Sequence, residues 1–196
     1  MTEDKRDDTA EDSALTVLIV VAIALLWLLS GKINQALSAY TAYADGIDLI
    51  YLPAGIRLVI VLIFRTWGAV GITVTNPILF MGEFDEVALP EILVNSLICG
   101  FVPLLAVTIA CPILRIDKNL KNFRSIDIPL LALAVSVATP LAFNMQFIYF
   151  NMKSATELWQ NLSAMILGDF IGCLLVLIVV RGVIFAYRKY GSTPAA

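Results

Sequence analysis

The sequence predicts an all-helical integral membrane protein, a bundle of about six transmembrane helices with both termini in the cytoplasm. Hydrophobic residues make up 60% of the 196 residues, whereas soluble domains are roughly 45–50% apolar. The mean hydropathy is +0.88. Long apolar runs alternate with short charged connections, and the basic residues concentrate in every second connection, as expected for cytoplasmic loops.

Six apolar runs predict the helices, since a helix needs about 20 residues to cross a bilayer. They cover residues 14–30, 47–64, 67–81, 91–114, 127–150 and 160–186. The third run is short and follows the second after a tight basic connection. We therefore expect the second and third helices to form a hairpin; as an alternative, this hairpin does not fully cross the bilayer.

Three parts of the chain follow from this pattern. Residues 1–13 contain six carboxylates and two cations, and such a charge block is typical of a solvated, disordered tail, although it could also dock a basic partner. Residues 14–190 are expected to form one transmembrane domain, and residues 191–196 a short C-terminal tail. The acidic start argues against a cleaved signal peptide.

The longest basic connection, residues 115–124, fixes the predicted orientation. It should be cytoplasmic by the positive-inside rule, which places Arg65 and Arg188 on the same side and leaves Lys32 and Lys153 facing out. We expect the inner membrane of a bacterium as the location.

Residues 31–46 connect the first two predicted helices. Tyr40 and Tyr43 lie three apart, on one helical face, and tyrosine favours the headgroup layer. The segment is therefore expected to lie at the interface; as an alternative, it caps an outward-facing pocket.

Two charged residues lie well inside apolar runs, away from the ends of those runs. Asp169 lies about a third of the way into the last run, and Arg57 stands at a comparable depth in the second. A charge in the bilayer needs a partner or a function, so we expect these two to pair. A guanidinium holds carboxylate or phosphate through two parallel hydrogen bonds, which makes Arg57 the candidate contact for a small anionic ligand and Asp169 its counter-ion.

Four amide side chains in the outer halves of the predicted spans are further candidates for the site. We expect them to converge on a polar pocket above the charged pair: Asn76, Asn95, Asn144 and Gln146. The alternative is that they only join helices, each contributing about 0.6–2 kcal/mol.

Four further residues are structural candidates. Gly168 and Gly172 make a small-xxx-small face beside Asp169, which permits close helix approach. Pro53 and Gly55 lie near the start of the second helix, where proline bends or begins a helix.

Catalysis and metal binding have little support in the sequence. It contains no histidine, and its three cysteines lie in apolar segments without metal-ligand spacing. Ile166 replaces the first glycine of the Gly-x-Gly-Asp motif of intramembrane aspartyl proteases, and no second catalytic aspartate is placed to share a proton. We expect that the protein is not an enzyme, that it uses no cofactor and that it binds no nucleic acid.

Two segments resemble the membrane-associated sensor domain family of the first type, found at the N-termini of bacterial histidine kinases and cyclic-dinucleotide enzymes. Residues 52–72, Leu-Pro-Ala-Gly-Ile-Arg onward, are similar to its Pro-Pro-Ala-Gly helix, basic turn and tryptophan. Residues 168–174 resemble its Gly-Asp-x-x-Gly helix. Leu52 replaces the first proline, and Arg57 takes a position that is usually apolar.

The resemblance implies a ligand-sensing or partner-binding membrane module. Because the chain carries no output domain of its own, we expect a stand-alone relative that signals through a separate membrane or cytoplasmic protein. Two other functions fit a bilayer protein of this size: a small-solute transport subunit like the substrate-capture proteins of energy-coupling-factor transporters, and a structural subunit of a membrane complex.

Overall fold

The computed structural model describes residues 4–44, 47–82, 87–117, 122 and 124–190. Within these residues, five helices are long and apolar enough to cross a membrane. They are α1 (Asp4–Thr41), α2 (Leu52–Phe80), α3 (Leu89–Ile113), α4 (Asp127–Tyr149) and α5 (Leu158–Tyr190). The prediction of an all-helical, multi-pass membrane protein is confirmed at this level.

Two short strands and one 3₁₀ turn complete the described elements. The strands β1 (Ala42–Ala44) and β2 (Ile47–Asp48) pair antiparallel, and the 3₁₀ turn (Ala155–Glu157) precedes α5. The predicted C-terminal tail, residues 191–196, lies outside the described residues.

The first helix is longer at both ends than its apolar run. It begins at Asp4, within the segment expected to be a disordered tail, and continues to Thr41, past the predicted end at residue 30. The chain contains no proline before residue 53, so no residue of that kind interrupts the helix. Most of residues 31–46 is therefore helical.

The difference between six predicted helices and five observed ones lies in α2. This helix includes both the second and the third predicted runs and is interrupted at Arg65, where the backbone has φ 50° and ψ −123°. A Cβ on Gly68 would lie 2.8 Å from the carbonyl oxygen of Ile60, whereas eight residues of continuous helix rise about 12 Å. The chain therefore reverses at Arg65, and residues 52–64 and 66–80 form a tight helical hairpin.

The second half of the hairpin packs between α1 and α3. Gly71 contacts Ile23, and Gly31 contacts Leu79, so α1 runs parallel to residues 66–80. On the other side, the missing side chain of Gly100 lets α3 approach the hairpin closely.

The first half of the hairpin packs against α5. A Cβ on Gly55 would lie 2.6 Å from both the Gly172 carbonyl oxygen and the Cβ of Val176. Helix α4 closes the bundle between α3 and α5. The hairpin therefore lies at the centre of the bundle and contacts three of the other four helices extensively.

The two ends of the bundle differ in character. One end, here called the basic end, contains the hairpin turn at Arg65 and the α3–α4 connection with Arg115 and Arg124. The opposite end, the cavity end, contains the strands and the connections that follow α2 and α4. Because α1 runs parallel to residues 66–80, and α5 to residues 52–64, the start of α1 and the end of α5 both lie at the basic end.

Apolar side chains fill the interior and also cover much of the outside. The fully buried core includes Trp27, Leu58, Ile72, Leu131 and Val135. Large apolar side chains on every helix are exposed, among them Leu25, Val74, Ile109 and Ile178. A surface that is apolar on its outer faces suits a hydrocarbon environment rather than water.

Candidate functional site

Two glycines on α5 let the backbone before α2 lie directly on that helix. Residues 42–44 and 47–51, here called the strap, connect α1 to α2 across the cavity end. A Cβ on Gly168 would collide with the carbonyl oxygen of Asp48, and one on Gly172 with that of Tyr51. The Tyr51 N–H donates to the Gly168 carbonyl at 3.1 Å. The small-xxx-small face thus receives the strap as well as a helix.

Pro53 and Gly55 fix the start of α2 on the same surface. Pro53 occupies the first turn of the helix, where proline's missing N–H costs no hydrogen bond. Gly55 packs against Gly172, which brings the two helices close enough for side chains within one turn of these glycines to meet.

That close approach places Arg57 beside Asp169. The guanidinium Nη2 donates to Asp169 Oδ2 at 3.1 Å. Its Nη1 donates to the Cys99 sulfur at 3.6 Å, and its Nε has no hydrogen-bond partner in the described part of the chain. Arg57 is 0% exposed and Asp169 5%. The ion pair predicted from the sequence is therefore present, and it joins α2 to α5.

Three amides form a directed chain of hydrogen bonds across α2, α3 and α4. Gln146 Nε2 donates to the backbone carbonyl of Glu91 at 2.9 Å. Asn95 Nδ2 donates to Gln146 Oε1 at 3.4 Å, and Asn76 Nδ2 donates to Asn95 Oδ1 at 2.8 Å. Because the Glu91 carbonyl can only accept, it sets the direction of the whole chain.

Asn144 lies apart from this chain. Its Nδ2 donates to the Pro140 carbonyl at 2.9 Å and approaches the Met165 sulfur at 3.1 Å. This side chain therefore stabilises α4 within itself and against α5.

The strap is fastened to α1 by a carboxylate. Asp48 accepts hydrogen bonds from Asn34 Nδ2 at 2.7 Å and from the Ser38 hydroxyl at 2.5 Å. The other end of the Asn34 amide accepts from the Leu52 N–H at 3.2 Å. One buried asparagine thus joins α1, the strap and the first residue of α2.

Beneath the strap lies a cavity of about 330 Å³, which is within the size range of small-molecule sites. Its polar lining includes Lys32, Asn34, Asp48, Asn76, Asn95 and Asp169. Its apolar lining includes Leu28, Ile47, Phe80, Phe143, Phe147 and Met165. All five helices and the strap contribute to it.

The predicted site residues divide into two groups. Asn76, Asn95 and Asp169 line the cavity, whereas Arg57, Asn144 and Gln146 lie behind it. The structure thus presents the Asp169 carboxylate to the cavity and encloses the Arg57 guanidinium, the reverse of the arrangement expected from the sequence.

The sequence offers residues 31–46 as an alternative cap over a pocket but does not single out Asn34, Ser38 and Asp48, which line the cavity. Asn34 and Ser38 lie four residues apart, which puts them on one face of a helix. This spacing indicates a polar face on the end of α1. Their common partner Asp48 lies outside α1, in β2, and no periodic pattern connects it to α1.

The described residues contain no group of three or more His, Cys, Asp or Glu that could hold a metal ion. Comparison with known protein families, with curated proteins and with solved structures finds no match to this chain.

Proposed function

We propose that this protein is a stand-alone membrane sensor that binds a small ligand in the cavity and signals through a separate protein. The observation that carries the proposal is the 330 Å³ cavity, with the buried Arg57–Asp169 pair in its wall. A buried ion pair is a poor stabiliser compared with apolar packing, so its place beside a cavity favours a role in ligand binding or switching.

The surroundings of the cavity suit a sensor. A ligand there contacts all five helices and the strap, so its binding energy can shift their relative positions. Any such shift reaches the basic end through α1 and α5, which run the length of the bundle. A partner at that end is in a position to detect it.

The proposed location is a bacterial inner membrane with the basic end in the cytoplasm. Arg65, Arg115 and Arg124 cluster at the basic end, as the positive-inside rule requires of cytoplasmic connections. Counting the two halves of α2 separately gives six passes and places both termini in the cytoplasm. Each half is about 20 Å long, shorter than the hydrocarbon core, so the hairpin needs local thinning or polar neighbours around its turn.

Transport is the second candidate function, and the interrupted helix α2 favours it. Discontinuous helices frequently line the substrate sites of transporters. A substrate-capture subunit would also need a cavity at its outer end. A purely structural subunit is the weakest candidate, because a structural role gives no reason for a cavity with a polar lining.

Co-purification distinguishes the sensor from the transport subunit. The tagged protein is isolated from its native membrane in mild detergent, and the proteins that accompany it are identified by mass spectrometry. We expect a histidine kinase, a cyclic-dinucleotide enzyme or another signalling protein. Recovery of a coupling protein with ATPases would contradict the sensor function and support transport.

Two charge-removing variants, one at each end of the bundle, test whether the partner binds at the basic end. The variant Arg115→Gln removes one charge from the connection that would face a cytoplasmic partner, and we expect it to reduce recovery of the partner. Lys153→Gln changes the same charge at the cavity end and should leave recovery unchanged. Equal effects of both variants would argue against a cytoplasmic docking surface.

A further inference from the structure

The direction of the amide chain leaves one oxygen of Asn76 open. The Glu91 carbonyl fixes the orientation of the Gln146 amide, and Gln146 fixes the orientation of the Asn95 amide. The Asn95 oxygen then accepts the N–H of Asn76. Within the described residues, nothing donates to Oδ1 of Asn76, a residue that lines the cavity. The chain therefore ends at the cavity in a hydrogen-bond acceptor.

Asp169 offers the cavity a second acceptor. Arg57 binds only its Oδ2, and no donor from the described part of the protein reaches Oδ1. The Asp169 side chain is 7% exposed, so water provides little compensation. A carboxylate accepts about four hydrogen bonds when fully satisfied, and this one lacks most of them.

Asp48 adds a negative charge that forms no ion pair with any cation in the described part of the chain. Its two bonds come from the neutral side chains of Asn34 and Ser38. The ion pairs among the described residues are Arg57–Asp169 and Arg124–Asp127. Lys32 also lines the cavity, but its ammonium donates to Gln35 on an exposed part of α1 and lies beyond ion-pair distance of both carboxylates.

The cavity thus presents open acceptor oxygens beside an apolar wall. A primary ammonium group supplies three donors and a positive charge, which matches the open oxygens of Asn76 and Asp169 and the charge of Asp48. Phe80, Phe143 and Phe147 provide aromatic surface beside them, and aromatic faces attract cations as well as apolar groups. An anion would instead meet two carboxylates, while Arg57 is enclosed and already bonded.

From this arrangement we infer that the ligand of the cavity is a small primary amine with an apolar body, held by Asp48, Asn76 and Asp169. This inference rests on the proposed ligand-binding function and names its ligand class. The anionic ligand suggested by the sequence is the competing class.

Binding to purified full-length protein in lipid nanodiscs tests the ligand class. Isothermal titration calorimetry and thermal unfolding are measured with 2-phenylethylamine, with the anion 3-phenylpropionate and with the neutral 2-phenylethanol. We expect the amine to bind and to raise the midpoint of unfolding, with the other two at least about tenfold weaker. Tighter binding of the anion, or no binding of the amine, would overturn the inference.

Two variants test the residues. Asp48→Asn keeps the size of the side chain, and Asn76→Leu removes the open acceptor; each should weaken amine binding by about tenfold or more. Asp117→Asn removes a carboxylate at the basic end and is the matched control, which should bind as the wild type does. Unchanged binding in both cavity variants would overturn the assignment.

The failure of this inference is distinguishable from the failure of the proposed function. Binding of the anion alone would overturn the ligand class and leave a ligand-binding sensor. Recovery of transport ATPases together with amine binding would overturn the sensor and leave the ligand class.

Discussion

A single hydrogen-bonded ion pair connects Arg57 and Asp169 in a region with almost no access to solvent. The attraction between the two charges offsets the cost of removing them from water only while both are present. Each residue is therefore held in place by the other, and the consequences of removing one differ from those of removing both.

The first prediction concerns this asymmetry. Arg57→Met leaves a buried carboxylate without its partner and should lower the free energy of unfolding by about 3–5 kcal/mol. The double variant Arg57→Met with Asp169→Leu should recover most of that loss, because no charge remains buried. Reversible unfolding in mixed detergent micelles provides the measurement.

Arg124→Met serves as the control for the ion pair. Arg124 pairs with Asp127 at the basic end; the arginine side chain is 67% exposed and the Asp127 side chain 1%. Because Asp127 keeps its hydrogen bond from the backbone N–H of residue 124, we expect Arg124→Met to cost less stability than Arg57→Met. If the double variant at the cavity were as unstable as Arg57→Met alone, the pair could not be the cause of the loss.

The charged pair was predictable from the sequence for a physical reason. An arginine and an aspartate inside apolar runs of similar depth have few other partners available. Their roles were not predictable in the same way, because depth does not say which of the two side chains faces an internal cavity. That depends on the close packing of Gly55 against Gly172, a distance that only the folded structure gives.

At the scale of the elements, the strap is held on α5 by the absence of side chains. Gly168→Ala and Gly172→Ala each place a Cβ against a backbone carbonyl of the strap, which cannot move as a flexible side chain can. We expect each to destabilise the protein by about 1–3 kcal/mol, measured by the same unfolding method.

Gly182 provides the matched control on the same helix. A Cβ there meets nothing within 4 Å, and alanine is a better helix former than glycine by up to about 1 kcal/mol in water. Gly182→Ala should therefore be neutral or slightly stabilising. Equal destabilisation by all three alanines would show that α5 itself, rather than its contact with the strap, is sensitive.

A further prediction concerns the attachment of the strap to α1. Asn34→Leu removes the donor to Asp48 and the acceptor for the Leu52 N–H, so amide hydrogen exchange in residues 47–52 should accelerate by about tenfold or more, a loss of roughly 1–3 kcal/mol in protection. Mass spectrometry of peptides from this region measures it.

Asn122→Leu is the corresponding change at the other end of the bundle. Asn122 also bridges a connection, by accepting from the Asp117 N–H and donating to the Arg115 carbonyl, so exchange in residues 47–52 should stay as in the wild type. A strap that exchanges at wild-type rates in Asn34→Leu would contradict its attachment through this residue.

The hairpin in α2 has one feature that the sequence pattern does not predict. Two apolar runs and a short basic connection predict a reversal of the chain, but not whether the helical hydrogen-bonding pattern stops for several residues or only for one. Here a single residue, Arg65, leaves the helical conformation. The basic connection marks this boundary in the sequence, but only the backbone shows that a single residue makes the turn.

At the scale of the whole molecule, the arrangement predicts which connections face each side of the membrane. Single cysteines in an otherwise cysteine-free chain can be labelled with an impermeant maleimide in intact cells. Lys153→Cys at the cavity end should react from outside, whereas Arg115→Cys and Arg65→Cys at the basic end should react only after the membrane is opened.

The cysteine introduced at residue 65 tests whether the hairpin crosses the bilayer, and the one introduced at residue 115 is its internal control. Reaction of Arg65→Cys from outside while Arg115→Cys is protected would show that the hairpin does not cross the bilayer. Reaction of Arg115→Cys from outside would reverse the proposed orientation.

The thiol of Cys99 lies in the wall of the cavity. Its reactivity therefore reports directly on whether a small ligand occupies that cavity. The rate of Cys99 alkylation by a small permeant reagent is measured with and without the small-molecule fraction of the native cells, while Cys111, near the basic end, serves as internal reference. We predict that the fraction slows modification of Cys99 and leaves Cys111 unaffected. Equal rates at Cys99 with and without the fraction would contradict a ligand-binding cavity.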